Sequence, residues 1–247
     1  MLSRKTSKYV KSLQLKKYRK QHGAFLAEGA KIVLEVLQSA YPVELLIATE
    51  EFVSEHPEVQ ALGDRLQVIP AEELRQTGSL QQNNAAIAVL PIPVHGRPDL
   101  EAPGWTLVLD AINDPGNLGT ILRIADWYGV KQVICSPDTV DVYNAKTIAA
   151  SMGSFLRMPT YYMDIPDLLT SYEGPVCGAV LEGTSVHGMA FAERGILMIG
   201  SESHGIREEW LDMLTQKVTI PRFGEAESLN AGVATAVILD NITRAQS

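Results

Sequence analysis

Downstream of residue 104 the chain alternates between short, almost uninterrupted apolar runs and polar, glycine-containing segments. The runs are TLVLD (106–110), KQVICS (131–136), RMPTYYM (157–163), PVCGAVL (175–181), GILMIGS (195–201) and KVTIP (217–221). A strand that alternates apolar and polar residues buries one face of a sheet, whereas a continuous apolar run is buried on both. Six such runs, separated by helical or loop stretches, predict an α/β fold with a mainly parallel sheet flanked by helices. In open parallel sheets ligands bind beyond the carboxyl ends of the strands. The residues just after each run are therefore where chemistry is expected.

Upstream, the pattern is that of a smaller α/β module. Residues 5–20 read as helical and basic, and AFLAEG (24–29) as a short strand. Ile32, Val33, Val36, Leu37 and Ala40 recur at helical spacing before the strand VELLIA (43–48). The strand LQVIP, the helix AEELRQT and the strand AAIAVL follow. This module has no cluster of His, Asp, Glu or Ser that suggests catalysis. Between the halves lies LPIPVHGRPDLEAPG (90–104), whose four prolines and two glycines suit neither a helix nor a central strand. The expected division is a first domain over 1–97, a linker over 98–104 and a second domain over 105–247.

Charge is distributed unevenly between these parts. Arg4, Lys5, Lys8, Lys11, Lys16, Lys17, Arg19 and Lys20 place eight cations and no acid in residues 1–20. The whole chain carries −8, so residues 21–247 carry −16. A basic arm on an acidic body suits an element that binds a polyanion, while the acidic body counts against a protein that coats nucleic acid. A solvated terminal helix is the plainer reading of the same residues. At 46% hydrophobic and 20% charged residues the composition excludes wholesale disorder. No apolar run approaches the roughly 18 residues of a membrane span. The first twenty residues are too charged for a signal peptide. Cys135 and Cys177 sit apart inside apolar runs, as in a reduced, cytoplasmic protein.

Three strand ends are polar in a way that invites function. After TLVLD comes Asn-Asp-Pro-Gly, read as a turn, then a helix from about Leu118 that stops near Gly129. Ile121, Ile124, Ala125 and Tyr128 give that helix a buried face, which leaves Arg123 off it, four residues after Gly119. Arg123 then either meets a ligand over bare glycine backbone or is a surface arginine packed on Trp127. After GILMIGS comes Ser-Glu-Ser-His-Gly (201–205). Ser203 invites a nucleophile-elbow reading, but Ser201 stands where that turn needs glycine, and no histidine follows His204. After KVTIP, Ser228 is placed to cap a helix starting near Leu229, with Asn230 in its first turn and an apolar surface nearly all round. There is no GxGxxG, no complete phosphate loop at Gly183–Gly188 and no metal-ligand spacing among the five histidines. No bound metal is expected.

At the same three loops the chain resembles the SpoU/TrmH family of RNA ribose methyltransferases, in the SPOUT superfamily. The family's Asn-x-Gly-x-x-x-Arg corresponds to Asn117, Gly119 and Arg123. Its Gly-x-Glu-x-x-Gly corresponds to Gly200, Glu202 and Gly205, and its Ile-Pro followed by Ser-Leu-Asn to Ile220, Pro221, Ser228, Leu229 and Asn230. Each pattern is weak singly; three in order, each at a strand end, are specific. The first 97 residues look like the RNA substrate-binding domain of two-domain members. Ser203 departs from the glycine common there, and Ala231-Gly232 from the usual Val-Ser.

The resemblance implies a deep trefoil knot, S-adenosyl-L-methionine held by main-chain groups near Gly200, Ile220 and Leu229, and a homodimer. It implies methylation of a ribose 2′-OH in RNA, ribosomal RNA favoured over transfer RNA. The family's proposed base corresponds to Arg123. An arginine side chain keeps its proton at neutral pH, so a clamp on the target phosphate or ribose is the preferred reading beside the base. Asn117, Glu202, Ser228 and Asn230 then shape the pocket. The alternative from another class is a catalytically silent RNA-binding or ribosome-assembly protein that keeps the fold.

Overall fold

Each of the six apolar runs holds a strand in the computed structural model, which describes residues 1–80 and 82–246. The chain starts with α1 (Arg4–Ser12), α2 (Lys16–His22), β1 (Ala24–Glu28), α3 (Ala30–Gln38), β2 (Leu45–Ala48) and α4 (Glu50–Glu55). Then come β3 (Leu66–Val68), α5 (Ala71–Thr77), β4 (Ala86–Pro91), β5 (Trp105–Leu109), α6 (Pro115–Trp127) and β6 (Gln132–Cys135). The rest is α7 (Ala145–Ser151), β7 (Thr160–Tyr162), α8 (Ile165–Thr170), β8 (Val176–Ser185), β9 (Gly195–Ile199), β10 (Gln216–Thr219) and α9 (Ala231–Gln246). Two compact units result. One is Met1–Val94 with Tyr143–Leu156, the other His95–Val142 with Arg157–Ser247.

The first unit is built on a four-stranded sheet ordered β1-β4-β2-β3, with β4 antiparallel to β1 and β2, and β2 parallel to β3. Phe25, Val33, Val36, Leu46 and Leu90 form its core on one face. Ile148 and Phe155 join that core, and the Phe25 ring lies 4.6 Å from Tyr143 and 5.8 Å from Phe155. The linear division had placed residues 143–156 in the downstream domain. They belong to this unit because their apolar side chains are buried in its core.

The basic arm is folded rather than free. Ser3 caps α1, Gly23 ends α2 in the left-handed region at φ 62°, and Arg19 is 4% exposed. Its guanidinium donates to the carbonyls of Leu13 at 3.0 Å and Gln14 at 2.9 Å. Arg19 thus ties the α1–α2 turn together, whereas the other seven cations of residues 1–20 are exposed.

The second unit has six parallel strands in the order β10-β8-β9-β5-β6-β7. The connections leaving β5 and β9 run to opposite sides, so a crevice opens at the carboxyl ends of these two neighbours. The expected linker belongs here too: Gln132 bonds the main-chain carbonyl and N–H of Asp99 at 2.8 and 3.2 Å. β8 runs past the expected 181 to Ser185, pairing with β10 across a register shift at Lys217/Val218. Gly183 permits this approach, since a Cβ there would sit 2.6 Å from the Lys217 carbonyl oxygen. Between β9 and β10 a short 3-10 helix covers Glu208–Met213. No helix among the described residues is long and apolar enough to cross a membrane.

Candidate active site

The three polar strand ends meet. α6 starts at Pro115, three residues earlier than expected, because proline suits a first helical position and Asp114 caps it, accepting from the Asn117 N–H at 2.8 Å. Asn117 therefore lies in the first turn, at the crevice. After β9 the chain closes a small ring: Ser201 and Gly205 exchange main-chain bonds of 3.1 and 2.8 Å. Gly205 takes φ 68°, and a Cβ on Gly200 would collide with the Gly205 carbonyl carbon. The first needs glycine for its backbone and the second for close approach. After β10, no N–H from Ile220 to Leu229 is bonded to another main-chain group among the described residues.

A chain of side-chain amides links the three segments. Asn117 Nδ2 donates to Glu202 Oε1, and Asn230 Nδ2 donates to Asn117 Oδ1 at 2.8 Å. Asn230 Oδ1 in turn accepts from the N–H groups of Gly232 and Val233 at 2.9 and 3.4 Å. The carboxylate at one end accepts only and the helix N–H groups at the other donate only, which fixes the orientation of both amides. Asn230, not Ser228, is thus the cap of α9, and the helix begins at Ala231. Ser228 is exposed and bonded to no side chain or main-chain group among the described residues. Nor is α9 buried all round, for Val233 is 49% exposed.

Beside this chain is a cavity of about 650 Å³. Gly200, Glu202, Ile220, Ser228 and Leu229, all expected site residues, line it. Its remaining wall is largely apolar, with Val180, Leu181, Ile199, Ala234 and Ile238. A concave, mostly apolar site with a few polar groups is the usual form of a pocket for a nucleoside-sized ligand. The main-chain N–H groups of 220–229, without main-chain partners among the described residues, and the glycine-closed ring of 200–205 fit S-adenosyl-L-methionine held by backbone groups. Ser203 and His204 also line the cavity; the Ser203 hydroxyl meets His204 Nδ1 at 2.8 Å, but no carboxylate orients that ring among the described residues.

Arg123 is the expected residue that the site does not gather. It is exposed on α6, outside the cavity wall, with no ion pair or hydrogen bond among the described residues. Trp127 beside it is 82% exposed, and Gly119, expected as open backbone beneath the guanidinium, is buried. Sequence reasoning also passed over Arg222 and Phe223, which line the cavity with Phe223 96% exposed, and the Asp110–Arg207 ion pair beneath the ring. The only signal for the latter was an acid ending an apolar strand. No group of three or more metal-binding side chains occurs among the described residues.

Residues 104–240 match the SpoU rRNA Methylase family, across the whole of this site. The chain belongs to that family. Residues 5–87 of this SpoU protein match the MRM3-like substrate binding domain. It is 29% identical over 233 residues to the 23S rRNA (guanosine(2553)-2'-O)-methyltransferase RlmP of Bacillus subtilis, covering 93% of this chain and 92% of that one. A solved TrmH-family structure from Porphyromonas gingivalis matches all of both chains with 33% identity and a TM-score of 0.87. The fold is also that of the SpoU methyltransferase AviRb from Streptomyces viridochromogenes, at 23% identity, a TM-score of 0.85 and coverage of 99% and 98%.

Proposed function

We infer that the protein is an S-adenosyl-L-methionine-dependent RNA methyltransferase that modifies a ribose 2′-hydroxyl, with ribosomal RNA as its substrate. The observation that carries this is that the second and third strand-end segments line one cavity, to which the first is tied through Asn117, hydrogen-bonded to Glu202 and Asn230. When bound, the cofactor supplies an electrophilic methyl group on a sulfonium. The chain's own part is placement. Gly200, Ile220 and Leu229 bind through the main chain, and the amide relay holds Glu202 and the α9 N-terminus in a fixed relation. Aligning a hydroxyl with the methyl group makes a bimolecular step effectively intramolecular, which needs no metal. RlmP, whose name gives a 23S rRNA guanosine as its target, supports the ribosomal choice.

Arg123 is assigned to clamp the RNA phosphate or ribose, and its exposed, unpaired position suits a residue that meets a partner molecule. The protein acts in the cytoplasm as a homodimer, and α9 keeps an exposed Val233 that a second copy can cover. The unit of Met1–Val94, with Tyr143–Leu156 in its core, serves as the RNA substrate-binding domain, and the unit of His95–Val142 with Arg157–Ser247 as the methyltransferase domain. The deep trefoil knot of the family belongs to this reading; the passage of 220–229 along the same cavity as 200–206 supports it.

The test is to incubate the protein with ribosomal RNA and cofactor labelled on the methyl group, then hydrolyse the RNA in alkali. Methylation of a 2′-hydroxyl blocks cleavage at the next phosphate, so label is expected in alkali-stable dinucleotides. Label in mononucleotides would move the reaction to a base and overturn the assignment.

A further inference from the structure

Beneath the ring of residues 200–205 lies a charge cluster that the reaction as derived does not use. Asp110, at the carboxyl end of β5, is 0% exposed. Its Oδ2 accepts from the Arg207 main-chain N–H at 2.8 Å, and its Oδ1 faces the Arg207 Nε at 3.1 Å, an ion pair without hydrogen-bond alignment. The other arm of the guanidinium pairs with Asp138, just beyond β6, and its plane lies over the Trp210 ring at 4.6 Å. Ser136 links the same strand ends, accepting from the Ala111 N–H at 2.9 Å and donating to Asp138 at 2.6 Å. Arg207 directly follows Ile206, which lines the cavity. One side chain thus fastens the far limb of the ring to two strands.

We propose that Arg207, gripped by Asp110 and Asp138, is the positioning residue that sets the 200–206 ring for cofactor binding. The inference rests on the reading that the cavity takes S-adenosyl-L-methionine. An ionised Asp110 is a poor choice for stability. Burial pushes its carboxyl up from the ordinary value; the Arg207 N–H and guanidinium pull it back only in part, and Asp138 and Glu209 raise it further. A carboxyl raised on folding stabilises the protein below its unfolded value, and that contribution is lost as pH rises through the folded value. At neutral pH the charge therefore costs stability. An asparagine would still accept the Arg207 N–H, so what the carboxylate adds is its hold on the guanidinium. Asp138 titrates in the opposite sense: burial raises it, but the Ser136 hydroxyl, its own backbone N–H and Arg207 outweigh burial and lower it. As pH falls, Asp110 is released first.

The experiment is calorimetry of S-adenosyl-L-methionine binding to the full chain from pH 8 to pH 5, with Tm measured alongside. Wild type is expected to bind, and to weaken towards acid. Absence of wild-type binding would overturn the cofactor reading and this inference with it. Given wild-type binding, Asp110→Asn is expected to bind about tenfold more weakly at pH 8, without the acid-side loss, and with an unchanged or higher Tm. The flat profile of Asp110→Asn isolates the Asp110 contribution. Arg207→Lys, which keeps the charge but loses the fork, is expected to fall between wild type and Arg207→Met. Asp110→Asn binding within twofold of wild type overturns the inference, as does a Tm that falls with affinity, or a variant that fails to fold.

Discussion

Asn230 does two things that two substitutions separate. Its Oδ1 caps α9, and its Nδ2 carries the amide relay to Asn117. Asn230→Ala removes both and is expected to lower stability by about 0.5–2 kcal/mol, as capping residues do. Asn230→Asp keeps the cap and adds a charge that the helix N-terminus favours, so its Tm is expected to match or exceed wild type. It has no donor for Asn117, however, so methyl transfer is expected to fall in both variants. Thermal unfolding with single-turnover rates checks this; full activity in Asn230→Asp would show the relay to be incidental. The positions in the motif were legible in the sequence, but their division of labour was not. Ser228 and Asn230 are both good caps, and only the path of the chain after Ile220 decides between them.

At the scale of elements, the α1–α2 pair presents its lysines on a rigid scaffold because Arg19 is turned inward. Arg19→Ala removes two charge-assisted bonds to main-chain carbonyls. The loss is expected to loosen the pair by about 1.5–3 kcal/mol. Reversal of Lys16 and Lys17 to Glu leaves those bonds in place and is expected to act on RNA instead. Each RNA phosphate that is no longer neutralised lowers the slope of log affinity against log salt by about 0.7–0.9. Binding titrations at several salt concentrations read this directly, and an unchanged slope would reduce the arm to a solvated surface. The basic arm and the apolar strands were legible because charge and hydrophobic period are local properties. The start of α6 was not, because Pro115 is chemically as good a turn residue as a first helical residue, and only the Asp114 cap distinguishes the two.

For the whole molecule, the outcome least visible in the linear chain is that Tyr143–Leu156 leaves the parallel-sheet unit to complete the core of the other. A period-based reading assigns each stretch to its sequence neighbours, and nothing in Ile148 or Phe155 says which core they enter. Phe155→Ala is expected to cost about 3–5 kcal/mol. Its effect should appear as lost hydrogen-exchange protection in β1 and β4, with β5 and β9 protected as before. Loss confined to β5 and β9 would reverse the assignment of that segment. The parallel sheet was legible in the sequence, since continuous apolar runs read as strands buried on both faces, but the strand order β10-β8-β9-β5-β6-β7 was not, because periodicity does not say which strands are neighbours.

The central claim, that this cavity serves transfer of a methyl group to a ribose in ribosomal RNA, is most directly tested by mapping 2′-O-methylation across all cellular RNA. The comparison is between cells with the gene, without it, and with the Asn117→Ala variant restored. Loss of 2′-O-methylation at a discrete position in ribosomal RNA is expected without the gene, with recovery by the wild-type protein and little by Asn117→Ala. Identical maps in all three would contradict the account, and recovery by Asn117→Ala equal to wild type would contradict the site.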